Sequence, residues 1–460
     1  MLPETGCAAF DRDFARVYAL ATEPITSQEH LVTLLRELYR AVADVDLKSY
    51  DVDELQDNAV QVLRATYQLR LSLRSRLAEW REAGFLDEAA ERGLRSVFRA
   101  SRYATDMLGE LAIGYDRMDT SDSVYRAFSG PDNNTLFHPE FLGLGHDIEF
   151  SSGDVVVVRG LRANSAAIAR VGDVDSQFSH AFMIHVDEDG RQRALEALIE
   201  DGAVVSNLDY TLEHGIGRAV LFRHRDPDVA ARAAQRVYDR ILAARQGGQQ
   251  IFYDFTMQLE DYSELFCSKL IREGFDRASG GLIMLPTHPT TFRDAPRDFL
   301  DRIGVTAEVS FAPGDMELET QFDAIAEWRD YRKTSDMRLM DLVMVKLFEW
   351  MEQKNYVFRP TAFIQALSHV GALTRQFPDG LKEWLTFAVP KIPPNMSVQT
   401  IAAIAMLHRT ADPLYRQLRT MERKSIAESG RPLHPLDVYA HLDQVELNGS
   451  GQIGYLKLKK

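Results

Sequence analysis

Two strand-like stretches, Phe178–Val186 and Arg191–Ile199, joined by Asp187-Glu188-Asp189-Gly190, constrain this chain more than any other feature. Two such runs around a turn-forming tetrapeptide predict a β-hairpin. With Glu188-Asp189-Gly190 as a three-residue loop and Gly190 in the left-handed position, Asp187 faces Arg191. That register sets His180 opposite Leu198, with Glu196 and Glu200 as its diagonal neighbours on the same face. A two-residue loop would turn both acids to the other face, because side chains alternate along a strand. Within the three-residue register either acid can orient the imidazole. His185 falls on the opposite face from His180 and is expected at the surface.

The hairpin belongs to a mixed segment. Gly153-Asp154-Val155-Val156-Val157-Val158-Arg159 predicts a buried strand after a turn, and Arg218–Phe222 and Ala307–Phe311 predict two more. Pro227–Arg245 predicts an Ala-rich helix stopped at Gly247-Gly248. Strands and helices mixed in this way define an α+β region. On either side the period changes to that of helices. Gln28–Val45 sets Leu31, Leu34, Leu35, Leu38, Tyr39 and Val42 on one face, and Asp53–Glu82 and Leu86–Leu108 continue similarly. The turn formers Ser129-Gly130-Pro131-Asp132-Asn133-Asn134 mark the end of this first region. From about Met316 the helical pattern returns, with Met340, Val343, Met344, Leu347, Phe348 and Met351 as a core-type stripe. Pro360, Pro378 and Pro390 punctuate the helices after it. The expected organisation is a helical region over 1–140, an α+β domain over 141–315 and a helical domain over 316–460. Periodic apolar stripes of this kind are packing surfaces, so the flanks are expected to pack, regulate, or carry a protein partner or self-association.

Charge excludes some functions. At −15 net, with a pI near 5.3, the chain has no broad basic face for nucleic acid. The uncharged stretch Ile392–His408 is interrupted by Pro393, Pro394, Asn395, Ser397, Gln399 and Thr400, so no transmembrane segment is expected. Met1–Gly6 has neither the positive start nor the apolar run of a secretory signal, and its Leu-Pro-Glu-Thr-Gly is a chance match to a sorting pentapeptide. Two cysteines, Cys7 and Cys267, make neither a disulfide framework nor a zinc site, and a reducing, cytoplasmic setting is expected. His180, His185, His214 and His224 lack metal-ligand spacing, so no metal or cofactor is expected.

Cys267 has the setting of a nucleophile. A thiol with a pKa of about 8.5 needs help to ionise at neutral pH, and a helix N-terminus supplies it. Asp261 or Ser263 is expected to cap the helix, placing Cys267 in its first or second turn, where a backbone amide can also hold an oxyanion. The alternative is a core thiol, since Cys267, Leu270, Ile271, Gly274 and Phe275 share one helical stripe. Cys7 is expected to be exposed.

The order of these features resembles a known family. A Gly-Asp opening an apolar strand is followed by Ser179-His180 in a second strand and an acid on a third. Then come Tyr253-Asp254-Phe255 and Glu264-Leu265-Phe266-Cys267-Ser268-Lys269-Leu270-Ile271, and the segment ends in Met284-Leu285-Pro286 and Pro296–Leu300. This is similar to the YiiX/YebB-like branch of the NlpC superfamily, circularly permuted papain-like cysteine hydrolases in which the cysteine follows the histidine. The resemblance covers roughly residues 150–315. It implies a permuted papain-like core, an antiparallel sheet plus helices, with Cys267 as nucleophile, His180 as general base and Glu196, rather than Glu200, as the orienting acid. It further implies that Tyr253 lines the site or assists the oxyanion. The substrates it implies are peptide or cell-wall peptide amides, and second to these lipid acyl bonds, because lecithin:retinol acyltransferase-like enzymes share the permuted order. The long helical flanks depart from that family's pattern.

Overall fold

In the computed structural model of the protein, residues 5–116, 125–144, 148–292, 297–361, 364 and 392–459 are described. Pro296, Pro378 and Pro390 lie outside them. The fold is α+β with helical regions on both sides. Six helices come first: α1 (Ala8–Thr22), α2 (Gln28–Ala43), α3 (Val52–Asp57), α4 (Ala59–Ser75), α5 (Leu77–Glu82) and α6 (Glu88–Ile113). The predicted face of α2 is the one it buries, through Leu31, Leu34, Leu35, Leu38 and Val42.

A seven-stranded antiparallel sheet follows, built from β1 (Thr135–Phe137), β2 (Val155–Gly160), β3 (His180–Val186), β4 (Gln192–Leu198), β5 (Gly202–Asn207), β6 (Ile216–His224) and β7 (Phe322–Arg329). Its spatial order is β1-β7-β6-β2-β3-β4-β5. Val155–Val158 lie in the middle of the sheet with both faces covered, hence a run of valines rather than an alternation. The helices interleaved with these strands are α7 (Ala163–Ile168), α8 (Leu208–Glu213), α9 (Pro227–Gln246), α10 (Cys267–Ser279) and α11 (Arg297–Ile303). The C-terminal region contributes α12 (Tyr331–Lys354), α13 (Val398–Ser429) and α14 (Pro435–Asn448).

The hairpin has the predicted register. Met183 pairs with Leu195 and Val186 with Gln192, and the Asp187 amide donates to the Arg191 carbonyl at 3.0 Å. Gly190, at φ 77°, takes the left-handed conformation the three-residue loop requires. The pairing stops at Met183↔Leu195, so β3 and β4 part toward His180 and Glu196.

Four expectations are corrected. Phe322–Arg329, expected within the C-terminal helical region, is a strand in the central sheet, paired with β6 from Arg218↔Arg329 to His224↔Phe322. Of Ala307–Phe311 only Val309–Ser310 is a strand, and it pairs with Thr290–Thr291 apart from the main sheet. His185 is buried, not surface: the face opposite His180 is covered by α9, whose Gln235 meets His185 Nε2 at 2.9 Å and whose Tyr238 stacks on the ring at 4.2 Å. Cys7 is also buried, packed at the start of α1 in the core shared by the first helices.

Buried ion pairs bind the three regions together. Glu327 on β7 accepts from Arg70 on α4 at 2.7 Å, Arg102 on α6 at 3.2 Å and Arg329 at 2.6 Å. Arg329 also reaches Asp106 of α6 at 2.7 Å. On α12, Arg338 bridges Glu110 of α6 at 2.6 Å and Glu422 of α13 at 2.7 Å. Lone charges at such depth would be untenable; these are matched.

Candidate active site

Helix α10 carries Cys267 at its first position. Its N-cap is Phe266, extended at φ −101°, ψ 171°, and no side chain caps the helix. Asp261 and Ser263, the expected caps, instead bond each other: the Ser263 hydroxyl donates to Asp261 at 2.7 Å and its amide at 2.8 Å. They close a turn before the helix rather than start it. The correction strengthens the chemistry, because the first-turn amides stay free of a competing carboxylate and lie beside the sulfur.

Packing fixes where that helix end points. Cys267 through Phe275 are all buried. At Gly274 an added Cβ would come within 3.0 Å of Val237, 3.1 Å of Met183 and 3.2 Å of the Ala233 carbonyl, so the glycine lets α10 lie close on both α9 and β3. Ahead of the helix, the Leu265 amide donates to Phe252 at 3.0 Å and the Asp254 amide to Leu265 at 3.2 Å. Lys269, buried in the first turn, reaches Asp254 at 2.7 Å. These bonds hold Tyr253 beside Cys267.

The open end of the β3–β4 ladder receives the sulfur. Ile184 exchanges hydrogen bonds with the β2 side, so by the two-residue alternation Ala181 turns its amide toward β4. With no partner strand there, that amide faces Cys267 and favours its thiolate form. His180 sits one residue before it. Its Nε2 lies 3.1 Å from Glu196 Oε2, while the other carboxylate oxygen accepts from the Thr211 hydroxyl at 3.1 Å. With Nε2 committed to Glu196, Nδ1 is the nitrogen left for the sulfur. The structure thus brings Cys267, His180 and Glu196 together, and of the two acids it is Glu196 that holds the ring.

Proton affinities follow from this arrangement. Burial pushes the Cys267 thiol up, but the hydrogen bond and charge of His180, the Ser268 hydroxyl and the Ala181 amide outweigh it, leaving the thiol below its ordinary value. For His180 burial disfavours the cation, yet Cys267 and Glu196 together raise its pKa to about 10. Glu196 is pushed up by burial and brought below its ordinary value by His180, Ser206 and Thr211. Glu200 is raised by burial and has no such partner on the imidazole. The shifts of Cys267, His180 and Glu196 all favour a thiolate–imidazolium pair with a carboxylate behind it.

A cavity of about 270 Å³ opens on this group, lined by His180, Glu196, Glu200, Ser179, Asn164 and Tyr253 among others. The His180 side chain is 23% exposed into it while Glu196 is 5% exposed, the order expected of a base and its support. Cys267 is 6% exposed and does not itself line the cavity. Burial, followed by the charges of Cys267 and Asp254, keeps the Tyr253 phenol protonated and able to donate.

Sequence reasoning does not find four parts of the site. Thr211 and Ser206 lie on α8 and β5, the elements that follow β4, and nothing in their local sequence marks them. The Ala181 amide is invisible in a side-chain pattern. The Asp254–Lys269 pair does carry a signal: a lysine in the midst of an otherwise buried helix start needs a buried acid. No family model, curated protein or solved structure matches the chain. Among the described residues, no helix is long and apolar enough to cross a membrane.

Proposed function

We propose that the protein is a cysteine hydrolase that cleaves an amide bond, of a peptide or cell-wall peptide, through an acyl-enzyme on Cys267. The observation that carries this reading is the meeting of Cys267, His180 and Glu196 at a helix N-terminus beside a cavity. His180 Nδ1 takes the thiol proton, Glu196 holding Nε2–H and so the tautomer. The thiolate attacks the carbonyl carbon, and the negative oxygen is held by the amide of Cys267 and the Tyr253 hydroxyl. The C–N bond breaks as the imidazolium gives its proton to the leaving nitrogen, leaving a thioester. His180 then deprotonates a water, which attacks the thioester carbonyl. The acid departs and the thiolate, now the leaving group, returns to the imidazolium.

The same site can act on an ester, so a lipid acyl hydrolase or acyltransferase is the alternative within this chemistry. A second reading, an inactive core in a helical interaction protein, is favoured by the 6% exposure of Cys267 and by the helices on both flanks. Both cysteines are free, as a reducing cytoplasm would keep them. Electrophile labelling discriminates between the readings. Brief iodoacetamide treatment of the native protein at about pH 6.5, followed by mass spectrometry, is expected to modify Cys267 and leave buried Cys7 intact. Equal labelling of both, or labelling only after denaturation, contradicts the hydrolase.

A further inference from the structure

A second cleft, of about 80 Å³, adjoins the catalytic cavity. Asn164, Ile168, Ile199 and Tyr253 line both, so one wall serves the two spaces. Beyond this wall the cleft is mostly apolar, with Thr400 and His408 as its polar lining. Phe299 and Ile303 of α11 and Ile404 and Leu407 of α13 form its far side, with Ala167 and Val171 between. A mostly apolar cleft of this size accepts hydrocarbon more readily than water.

Its walls are held in place. Asn395, just ahead of α13, donates to the Tyr253 carbonyl at 2.8 Å. The Thr400 hydroxyl donates to the Arg302 carbonyl at 3.3 Å, tying α13 to α11. The C-terminal helical region therefore supplies half of a surface that begins at the residue beside the nucleophile. A packing element with no part in recognition would have no need to end on Tyr253.

We propose that this cleft is the specificity pocket for the substrate's apolar group. Resting on the hydrolase reading above, the substrate is an amide or ester carrying a short aliphatic group next to the scissile carbonyl. Helix α13 selects it. A long unbent lipid tail exceeds the space, whereas a short acyl chain and an aliphatic amino-acid side chain both suit it. Phe299, Ile404 and Leu407 contact the group but take no part in bond making.

N-alkyl iodoacetamides test this without an identified substrate. Second-order rates of Cys267 alkylation are measured for methyl, butyl, hexyl and dodecyl reagents. From methyl to hexyl the rate is expected to rise roughly two- to fourfold per methylene and then to level or fall at dodecyl. Leu407→Trp, which fills the cleft, is expected to flatten the series. A series that is flat in the unaltered protein overturns the pocket even if Leu407→Trp fails to fold. Absence of any Cys267 alkylation overturns the hydrolase reading instead, so the two failures are distinguishable. Hexanoyl and N-acetyl-leucyl p-nitroanilides then separate the sources: faster hexanoyl turnover assigns the group to an acyl chain, and faster leucyl turnover to a side chain.

Discussion

Two of the buried charged clusters among the described residues are treated oppositely. At the β7 end of the sheet, Glu327 is surrounded by Arg70, Arg102 and Arg329, each with a side chain no more than 2% exposed. At the β3–β4 end, His180 has one carboxylate behind it, one sulfur beside it and a cavity in front. The first cluster has no side open to a ligand and joins helices to sheet. The second leaves one direction unfilled. A buried charge whose partners are all protein is structure; one that shares its wall with a cavity is equipped for chemistry.

The sharpest way to break this contrast is at the nucleophile. Cys267→Ala removes a small buried side chain from the helix start. Turnover of an identified substrate is expected to fall by about 10⁴-fold or more, while the thermal midpoint stays within a few degrees. Comparable loss of turnover and of folding would move Cys267 into the structural class.

The converse change is at Glu327. Glu327→Gln leaves Arg70 buried without a carboxylate, takes one of two from Arg102 and Arg329, which keep Glu317 and Asp106, and is expected to lower unfolding free energy by about 3–5 kcal/mol in urea titration. Its pH dependence has a definite sign. The three arginines hold the Glu327 carboxyl far below its ordinary 4.5, burial notwithstanding. The stabilisation is therefore present above pH 4.5 and lost as pH falls through the folded-state value. Acidification from about pH 6 to about pH 3 is expected to destabilise the unaltered protein more than the variant. The variant's alkylation rate at Cys267, measured well below the melting point, should stay within about twofold, because the two clusters are separate.

Smaller effects sharpen the site itself. Glu196→Gln keeps a polar contact to His180 but removes the charge and is expected to slow turnover at least about tenfold. Glu200→Gln, which lines the same cavity without a bond to the ring, is expected to change turnover less than about threefold. Equal effects would mean that proximity to the cavity, not the imidazole bond, decides the role of an acid here.

Legibility in the sequence divides along the same line. The hairpin register is readable because one glycine in a three-residue loop fixes it, and everything up to the choice between Glu196 and Glu200 comes by counting. Geometry alone leaves both acids open, since both lie diagonal to His180; the splaying of β3 from β4 and the Thr211 hydroxyl decide between them. The β7 strand is hidden by its own charges. Phe322-Asp323-Ala324-Ile325-Ala326-Glu327-Trp328-Arg329 carries polar residues that look solvated, yet Glu327 and Arg329 neutralise partners from helices more than 200 residues away. His185 is deceptive for a related reason: alternation tells which face a residue takes, not whether a distant helix covers it. The helix cap misleads because Asp261 and Ser263 satisfy each other before the helix begins.

The central claim is that His180 maintains Cys267 as a thiolate, and its direct test is the pH profile of Cys267 alkylation in the unaltered protein and in His180→Ala. Because the thiol lies below its ordinary value, the unaltered protein is expected to keep most of its rate between about pH 8.5 and about pH 7. In His180→Ala, where only the Ser268 hydroxyl and the Ala181 amide oppose the effect of burial on the thiol, the rate is expected to fall about tenfold per pH unit across the same range. Superimposable profiles for the two proteins would contradict the account.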